Sequence, residues 1–311
     1  MLGKGLYHLF LSLAFSAQRT FRQHGISKVK FFILAGGYGH RAEPLSLIKT
    51  KPVFPLNGMP LLTLLLQQLR VQDCSEGFIN THHLGEQVVA AAAGSSVHFI
   101  REKELSGSRV LRQALPFFTD WLLAVNGDTF LEIPLTGLLE KTTSTDVDGV
   151  LLVRPDHSGH YAGLRVAADG FLESDGPQPG SGLIYAGVAL FRKKAVEKID
   201  EANFFKTIQK KHLRFQTVFY DGIWLDVGTP ELYFRANWKY KAYCSDPQPN
   251  AFSENVEISP ASRVEKSVLW ENTSIGPGVH LSECIVTGNL RLENTSHSGQ
   301  IISQQGVFPL F

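Results

Sequence analysis

A glycine-rich loop that directly follows an apolar run constrains this chain more than any other stretch. Residues 29–34 read Val-Lys-Phe-Phe-Ile-Leu, and their β-branched and aromatic side chains predict a buried strand. Three glycines follow, at Gly36, Gly37 and Gly39. Glycine permits positive φ and lets backbone N–H groups approach an anion closely. Arg41 and Lys51 add two cations beside the loop, so the stretch is predicted to hold phosphate groups.

The loop matches neither of two common phosphate-binding motifs. A P-loop requires Gly-Lys-Ser or Gly-Lys-Thr directly before a helix, and this stretch has neither. A Gly-x-Gly-x-x-Gly fingerprint would need glycine at the position of Ala42. Considered by itself, the loop therefore leaves a second interpretation open, a glycine-rich turn with surface cations.

The longer string around the loop is far more specific. It reads Leu-Ala-Gly-Gly-Tyr-Gly-His-Arg at 34–41, Pro-Leu at 44–45, lysine at 51, and Pro-Leu-Asn-Gly-Met-Pro-Leu-Leu at 55–62. This string resembles the opening of the sugar-1-phosphate nucleotidylyltransferases, an NTP-transferase family. Within that family it looks most similar to the bacterial mannose-1-phosphate and heptose-1-phosphate guanylyltransferases. The resemblance extends from Val29 to about Tyr243.

Alternating strand and helix patterns predict the fold class. Strands are predicted over 29–34, 76–80, 97–101, 121–126, 150–153, 161–166, 183–191, 215–220 and 223–225. Helices are predicted over 60–72, 84–93, 108–118, 193–200, 202–211 and 231–243. The alternation predicts an α/β domain with a mostly parallel, Rossmann-like sheet and helices on both faces. Ligands of such sheets bind beyond the carboxyl ends of the strands, where the glycine loop begins.

The sequence predicts three parts: an N-terminal extension over 1–28, a nucleotidyltransferase domain over 29–244, and a linker with a short tail over 245–311. In the tail, Ile258, Val264 and Trp270 are six residues apart, and Ser-Ile-Gly-Pro-Gly-Val at 274–279 resembles a hexapeptide repeat. The tail is therefore predicted to form a short left-handed β-helix, with an irregular β appendage as the alternative. So few coils must pack either on the main domain or on another subunit, and the second alternative predicts a homo-oligomer through the tail.

The N-terminal extension disagrees with a nucleotide-using enzyme. Lys4 precedes an apolar run over 6–15 followed by Ser-Ala, a pattern that resembles a short signal peptide. The run is too short and too interrupted for a transmembrane helix, so no stable membrane insertion is expected. It has three interpretations: an upstream extension from a misassigned start, a packed or membrane-surface helix, or an export signal. Nucleoside triphosphates are in the cytoplasm, which is therefore the expected location.

The cysteines agree with a cytoplasmic location, and the net charge limits the classes of partner that are expected. Cys74, Cys244 and Cys284 show neither metal spacing nor a disulfide framework, which fits a reducing compartment. The formal net charge of +1 gives no reason to expect a nucleic acid as partner.

Two aspartates are the predicted metal ligands. Asp128 ends the apolar run 121–126 at a glycine turn, a position that suits Mg²⁺, which prefers one or two carboxylates plus phosphate oxygens. An Asx-turn residue is the alternative reading of an isolated Gly-Asp pair. Asp226, within Trp-Leu-Asp-Val-Gly-Thr-Pro-Glu at 224–231, resembles the second metal-binding segment of the family. The resemblance thus implies that Asp128 and Asp226 hold Mg²⁺.

The resemblance implies transfer of a nucleotidyl group from an NTP to a sugar 1-phosphate, with release of pyrophosphate. GTP with mannose or heptose 1-phosphate is the expected pair of substrates. Arg41 would neutralise the leaving pyrophosphate, and Lys51 would hold the α-phosphate or the incoming phosphate. A regulatory paralogue that binds a nucleotide sugar without catalysis is the alternative. Such a protein would be expected to lose a charged residue of the set, and Arg41, Lys51, Asp128 and Asp226 are all present.

The remaining site residues are also implied by the resemblance. The nucleotide-binding set is Leu34, Ala35, Gly36, Gly37, Gly39, Asn80 and Gly107, and the sugar-binding set is Glu173, Tyr185 and Gly187. The chain departs from the family pattern at His40 (usually Thr), at Thr50 (usually Pro), at 105–109 (Leu-Ser-Gly-Ser-Arg for Leu-Gly-Thr-Gly-Gly) and at Ser174 (often Lys). These departures leave open which base is bound and whether activity is reduced, and the sequence does not identify the sugar.

Overall fold

The structure is a computed structural model that describes residues 29–156, 159, 161–173 and 182–311. The predicted extension over 1–28 and Ser174 lie outside the described residues. The chain divides into two compact units, and both are discontinuous in sequence. Of the described residues, the first unit contains those up to Gly37 and those within Leu65–Gly127 and Leu131–Trp224, and the second contains Tyr38–Leu64, Asp128–Phe130 and Leu225–Phe311. The predicted domain division at 244–245 stays a prediction.

Most of the first ten strands form one sheet. These strands are β1 (Lys30–Leu34), β2 (Pro55–Leu56), β3 (Met59–Pro60), β4 (Gly77–Thr81), β5 (Val97–Arg101), β6 (Trp121–Asn126), β7 (Thr129–Leu131), β8 (Gly149–Pro155), β9 (Leu183–Arg192) and β10 (Phe215–Phe219). Seven of them lie in the order β10-β8-β9-β6-β1-β4-β5 within the first unit. β9 runs antiparallel to β6 and β8, and the other neighbours pair in parallel. The predicted mixed α/β fold with a parallel-dominated sheet is confirmed.

The central position of β1 follows from its composition. Phe31, Phe32 and Ile33 are almost completely buried, as expected for a strand covered on both faces of a parallel sheet. β1 pairs with β4 on one side and β6 on the other, so Leu34 lies level with Asn80 and Asn126. The carboxyl ends of three strands therefore meet where the glycine loop begins.

The helices agree with most of the predicted ranges. They span Leu45–Ile48, Leu61–Val71, Gly85–Ala91, Leu135–Glu140, Lys193–Glu197, Phe204–Lys211 and Pro230–Tyr243, with 3₁₀ segments at His40–Ala42, Lys51–Val53 and Gly107–Phe117. The predicted helix over 108–118 is 3₁₀ rather than α, and Pro116 inside it has no N–H for a regular helical ladder. No helix in the described part of the chain is long and apolar enough to cross a membrane.

The predicted strand over 161–166 is wrong. An isolated bridge between Val166 and Leu172 takes its place. The N–H of Gly170 donates to the carbonyl of Ala167 at 2.9 Å, so the chain turns directly after Val166. The apolar residues of this segment thus flank a turn instead of extending a strand.

Short strands dominate the chain from Trp224 onwards. They are β11 (Trp224–Asp226), β12 (Ala251–Phe252), β13 (Glu257–Ile258), β14 (Arg263–Glu265), β15 (Val268–Leu269), β16 (Thr273–Ile275), β17 (His280–Ser282), β18 (Ile285–Val286), β19 (Leu290–Leu292), β20 (Ser296–Ser298), β21 (Gln300–Ser303) and β22 (Gly306–Pro309). From β12 onwards they stack into three ladders, β12-β15-β18-β21, β13-β16-β19 and β14-β17-β20, which are parallel. β22 folds back antiparallel on β21.

An asparagine ladder marks the repeat length of the tail. Asn255 donates its side-chain amide to Asn272 at 3.0 Å, and Asn272 donates to Asn289 at 3.1 Å, each over a separation of 17 residues. All three residues have positive φ, which asparagine tolerates better than most residues. The six-residue spacing is thus interrupted once in each turn of the tail, as the five-residue step from Trp270 to Ile275 indicates.

Candidate active site

The start of the glycine loop belongs to the first unit, and Gly36 is buried there. A Cβ atom at Gly36 would lie 2.7 Å from Asn80 Nδ2 and 3.3 Å from Glu102 Oε2. All three glycines permit positive φ, and among them only Gly39 adopts it, with φ 76°. Glycine is instead required at position 36 because Asn80 and Glu102 lie too close to leave room for a side chain. A Cβ atom at Gly37 would meet open space.

Asn80 connects the glycine loop to a carboxylate that was not predicted. Its Oδ1 accepts the N–H of Ala35 at 2.8 Å, and its Nδ2 donates to Glu102 Oε2 at 2.5 Å. Glu102 Oε1 accepts the Ser106 N–H at 3.0 Å and the Ser106 hydroxyl at 2.5 Å. The signal was present in the sequence, because Glu102 directly follows β5 and parallel strands end at the same edge of a sheet.

Gly107 has a structural explanation of its own. Its φ is 60°, and a Cβ atom there would lie 2.3 Å from the carbonyl oxygen of Ala202. The next residue, Ser108, donates its N–H to the same carbonyl at 2.7 Å. Arg109, which departs from the family pattern, donates its Nε–H to the carbonyl of Ser106 at 3.1 Å. The nucleotide-binding role of Gly107 stays a prediction.

Two of the predicted sugar-binding residues share β9. Tyr185 and Gly187 are two positions apart in this strand, and the register with β8 shifts between Leu151 and Val153, opposite the stretch where Gly187 has φ 93°. The ring of Tyr185 packs edge-on against Phe204 and Phe205, and burial raises the pKa of its hydroxyl. Glu173 lies outside the strands and donates its N–H to the carbonyl of Arg165 at 3.0 Å. The sugar-binding roles of all three residues stay predictions.

Lys51 and Asp128 form an ion pair in the second unit. The lysine side chain is 14% exposed and the aspartate side chain 27% exposed, so water screens the pair only in part. A Cβ atom at Gly39 would lie 3.4 Å from Lys51 Cγ. The tighter contact would be with Ser46 Cβ at 3.0 Å, so Gly39 serves two needs, a left-handed backbone and room for the Ser46 side chain.

Asp226 and Arg41 meet around Gly228. The N–H of Gly228 donates to Asp226 Oδ1 at 2.8 Å. A Cβ atom at Gly228 would lie 2.9 Å from that oxygen and 3.2 Å from Arg41 Nη2. A larger residue would displace the ends of both charged side chains, so Gly228 joins the candidate site as a residue that the sequence prediction did not include.

A backbone hydrogen bond links the two aspartate segments. Val227 donates its N–H to the carbonyl of Asp128 at 3.2 Å. The second unit thus brings together the four predicted catalytic residues, Arg41, Lys51, Asp128 and Asp226. Two carboxylates on neighbouring segments suit a hard cation that completes its coordination with phosphate oxygens. Across the described ranges, no group of three or more His, Cys, Asp or Glu side chains could hold a metal ion.

Comparison with known proteins places the chain among the nucleotidyltransferases. Residues 31–185 match the family of the MobA-like NTP transferase domain. This segment of the chain belongs to that NTP-transferase family.

Relatives of known activity and a solved structure agree with that assignment. Mannose-1-phosphate guanylyltransferase from Mycobacterium tuberculosis is 24% identical over 300 residues, which are 86% of this chain and 82% of that protein. D-glycero-alpha-D-manno-heptose 1-phosphate guanylyltransferase from Campylobacter jejuni is 26% identical over 215 residues, 65% of this chain and 96% of that protein. The crystal structure of HddC from Yersinia pseudotuberculosis superposes with a TM-score of 0.60 at 25% identity, covering 68% of this chain and 100% of HddC.

Proposed function

We propose that this protein transfers a guanylyl group from GTP to mannose or heptose 1-phosphate and releases pyrophosphate. The grouping of Arg41, Lys51, Asp128 and Asp226 in one compact unit carries the proposal. Transfer between phosphates needs positioned positive charge more than covalent catalysis, and this grouping supplies it. The names of the relatives support the choice of guanine and of the two sugars.

The proposed reaction requires no protein nucleophile. An oxygen of the sugar phosphate attacks the α-phosphorus of GTP, a new P–O bond forms, and the bond from the α-phosphorus to the bridging oxygen of pyrophosphate breaks. Arg41 is exposed, and its planar guanidinium suits the two outer phosphates. Lys51 is half-buried and presents a point charge, which suits the α-phosphate.

Asp128 and Asp226 would hold a divalent cation, for which we propose Mg²⁺. The donor set fits, because both residues offer carboxylate oxygens on adjoining segments. When bound, the cation would neutralise negative charge on the reacting phosphates. Asp128 also forms an ion pair with Lys51, the residue that we assign to the α-phosphate. This pair keeps the Asp128 carboxylate close to the Lys51 ammonium.

Glu102 supports guanine as the base. Guanine presents two adjacent donors, N1–H and the N2 amino group, and Glu102 keeps an acceptor site on Oε2 for one of them, because Ser106 donates twice to Oε1 and Asn80 donates once to Oε2. Glu102 lies beside Gly36 and Asn80 in the first unit, where the resemblance implies nucleotide binding. A carboxylate next to the glycine loop would disfavour bases that present acceptors in the same place.

Three finer features belong to the proposal. The sheet is of Rossmann type with helices on both faces, and the tail is a short left-handed β-helix of the hexapeptide class. The enzyme acts in the cytoplasm, where its triphosphate substrate is. A homo-oligomer through the tail stays a prediction.

A substrate panel tests the proposed function. The full chain is incubated with each NTP and each of several hexose and heptose 1-phosphates, and released pyrophosphate is measured with and without Mg²⁺. We expect Mg²⁺-dependent release with GTP and mannose or heptose 1-phosphate. A protein that binds nucleotide sugars but releases no pyrophosphate with any pair would instead be the regulatory paralogue.

A further inference from the structure

The segment that carries Lys51 is attached to the proximal tail, which we define as residues 251–271. Trp270 and Tyr233 are fully buried in the second unit. The Trp270 Nε1–H donates to the Tyr233 hydroxyl at 2.9 Å, and that hydroxyl donates to the carbonyl of Pro55 at 2.8 Å. Burial raises the pKa of Tyr233, so the hydroxyl keeps the proton that it donates.

Phe54 extends this attachment to Lys51 itself. Its ring lies 5.0 Å from the Tyr233 ring and 5.6 Å from the Trp270 ring. Its backbone N–H donates to the carbonyl of Lys51 at 3.0 Å and closes the 3₁₀ turn that Lys51 begins. A shift of Phe54 would therefore move the lysine backbone.

The proximal tail also contacts the chain on the N-terminal side of Lys51. Lys49 pairs with Glu271 at 2.6 Å, and its ammonium lies 5.4 Å from the centre of the Trp270 ring. Further along the segment, a Cβ atom at Gly58 would lie 2.1 Å from the carbonyl oxygen of Phe252. Lys51 is thus bracketed by contacts to the tail at Lys49 and at Phe54.

We propose that Trp270 and Tyr233 are positioning residues for Lys51, and that the proximal tail is part of the catalytic apparatus. The inference rests on the proposed function, because it assumes that Lys51 acts on a phosphate. The Tyr233 hydroxyl accepts one hydrogen bond and donates another, so its loss leaves the Trp270 N–H and the Pro55 carbonyl buried without partners. The segment around Lys51 would then shift, and misplacement of the Lys51 ammonium would lower turnover strongly.

Turnover kinetics of Tyr233→Phe test the proposal. We expect kcat to fall by about tenfold, with the affinity for GTP in titration calorimetry unchanged. Tyr240→Phe on the same helix is the matched control, because Tyr240 packs against Phe130 and makes no hydrogen bond to the Lys51 segment. Trp270→Phe is compared in the same way with Trp238→Phe. Equal losses in a variant and its control would overturn the proposal.

A double-mutant cycle separates positioning from general stability. If Tyr233 acts through Lys51, Tyr233→Phe should have no further effect on the residual rate of Lys51→Ala. Additive losses would show that Tyr233 contributes independently of Lys51 and would overturn the proposal. Glu271→Gln serves as a gentler second variant, because it removes one partly exposed ion pair and leaves the aromatic core intact.

Chemical labelling of lysine gives a readout that does not depend on activity. The rate of Lys51 acetylation is measured by mass spectrometry in the full chain and in Tyr233→Phe, with Lys30 as internal reference. We expect acetylation of Lys51 to accelerate at least about threefold as its segment loosens, with Lys30 unchanged. An unchanged Lys51 rate would overturn the positioning role. If Tyr233→Phe accelerates the labelling of Lys51 but the wild-type protein turns over no substrate, the positioning role of Tyr233 stands and the proposed function is rejected.

Discussion

Lys51 and Asp128 form an ion pair across 77 positions of sequence. The two residues belong to motifs that the sequence presents separately, the segment after the glycine loop and the turn after β6. Both motifs enter the second unit, whereas the strands that precede them lie in the first. The pair therefore joins the predicted phosphate-binding and metal-binding elements in a single arrangement of charge.

Loss of either carboxylate of the proposed metal site, Asp128 or Asp226, should abolish most of the activity. We expect Asp128→Asn or Asp226→Asn to lower turnover by at least about a hundredfold, because a bound cation stabilises charge in the transition state. Asparagine has nearly the same shape, so circular dichroism and the melting temperature should change little. Asp120→Asn, on the exposed surface of the first unit, is the matched control. Near-wild-type pyrophosphate release in either site variant would contradict the metal assignment.

Arg41 and Lys51 should differ in the step that they affect. We expect Arg41→Ala to weaken triphosphate binding and turnover together, because in the proposed site its fork would contact the outer phosphates in the ground state. Lys51→Ala should chiefly lower kcat, as expected of a contact that strengthens in the transition state. Titration calorimetry with GTP and steady-state rates measure both quantities. Loss of GTP binding in Lys51→Ala, with Arg41→Ala unaffected, would mean that the two roles are reversed.

The sequence predicts the sheet well because its strands are continuous apolar runs. The middle three residues of β1 and the first five of β6 are buried, and such runs identify central parallel strands without knowledge of their partners. The prediction of a strand over 161–166 is wrong because its apolar run is short. Beside Asp-Gly at 169–170, such a run fits a turn as well as it fits a strand.

The site was only partly predictable because its contacts span long distances in the chain. Motifs indicate Arg41, Lys51, Asp128 and Asp226, yet no local pattern shows that the first two share a compact unit with residues after 224. The reason for Gly36 was likewise hidden, because its close neighbours Asn80 and Glu102 come from two later strand ends. Spacing within a motif is local information, whereas such steric contacts depend on the packed sheet.

Asp246 should stabilise the attachment of the 55–62 segment in a pH-dependent way. Burial raises the pKa of this carboxyl, but hydrogen bonds from Lys241, the Gln248 N–H and Asn57 outweigh it and lower the pKa from 3.8 to about 2. The unfolded chain therefore takes up the proton first as pH falls. The stabilisation is complete above about pH 4 and is lost as the pH falls towards 2.

Urea unfolding of Asp246→Asn measures this contribution. At pH 7 we expect the variant to be less stable by about 2 kcal/mol, the typical contribution of hydrogen bonds to a charged group. The difference from wild type should shrink when the pH is lowered from 4 towards 2. Asp146→Asn, which removes an exposed pair with Arg214, is the control and should change stability little at any pH. A difference that is independent of pH would contradict the ionic origin of the effect.

Glu102 should determine the choice of base. Glutamine keeps the size of the side chain but replaces one acceptor oxygen with an amide donor, which would face the donors of guanine. We expect Glu102→Gln to lower kcat/KM for GTP by at least about a hundredfold, because a site built for hydrogen bonding discriminates strongly once its partners are mismatched. The values for ATP, CTP and UTP should fall much less, so the ratio of GTP to UTP is the decisive measurement. Glu102 also accepts hydrogen bonds from Ser106, and Ser106→Ala therefore controls for a disturbed loop. An equal loss with all four triphosphates in Glu102→Gln would assign Glu102 to the loop structure and remove the physical argument for guanine.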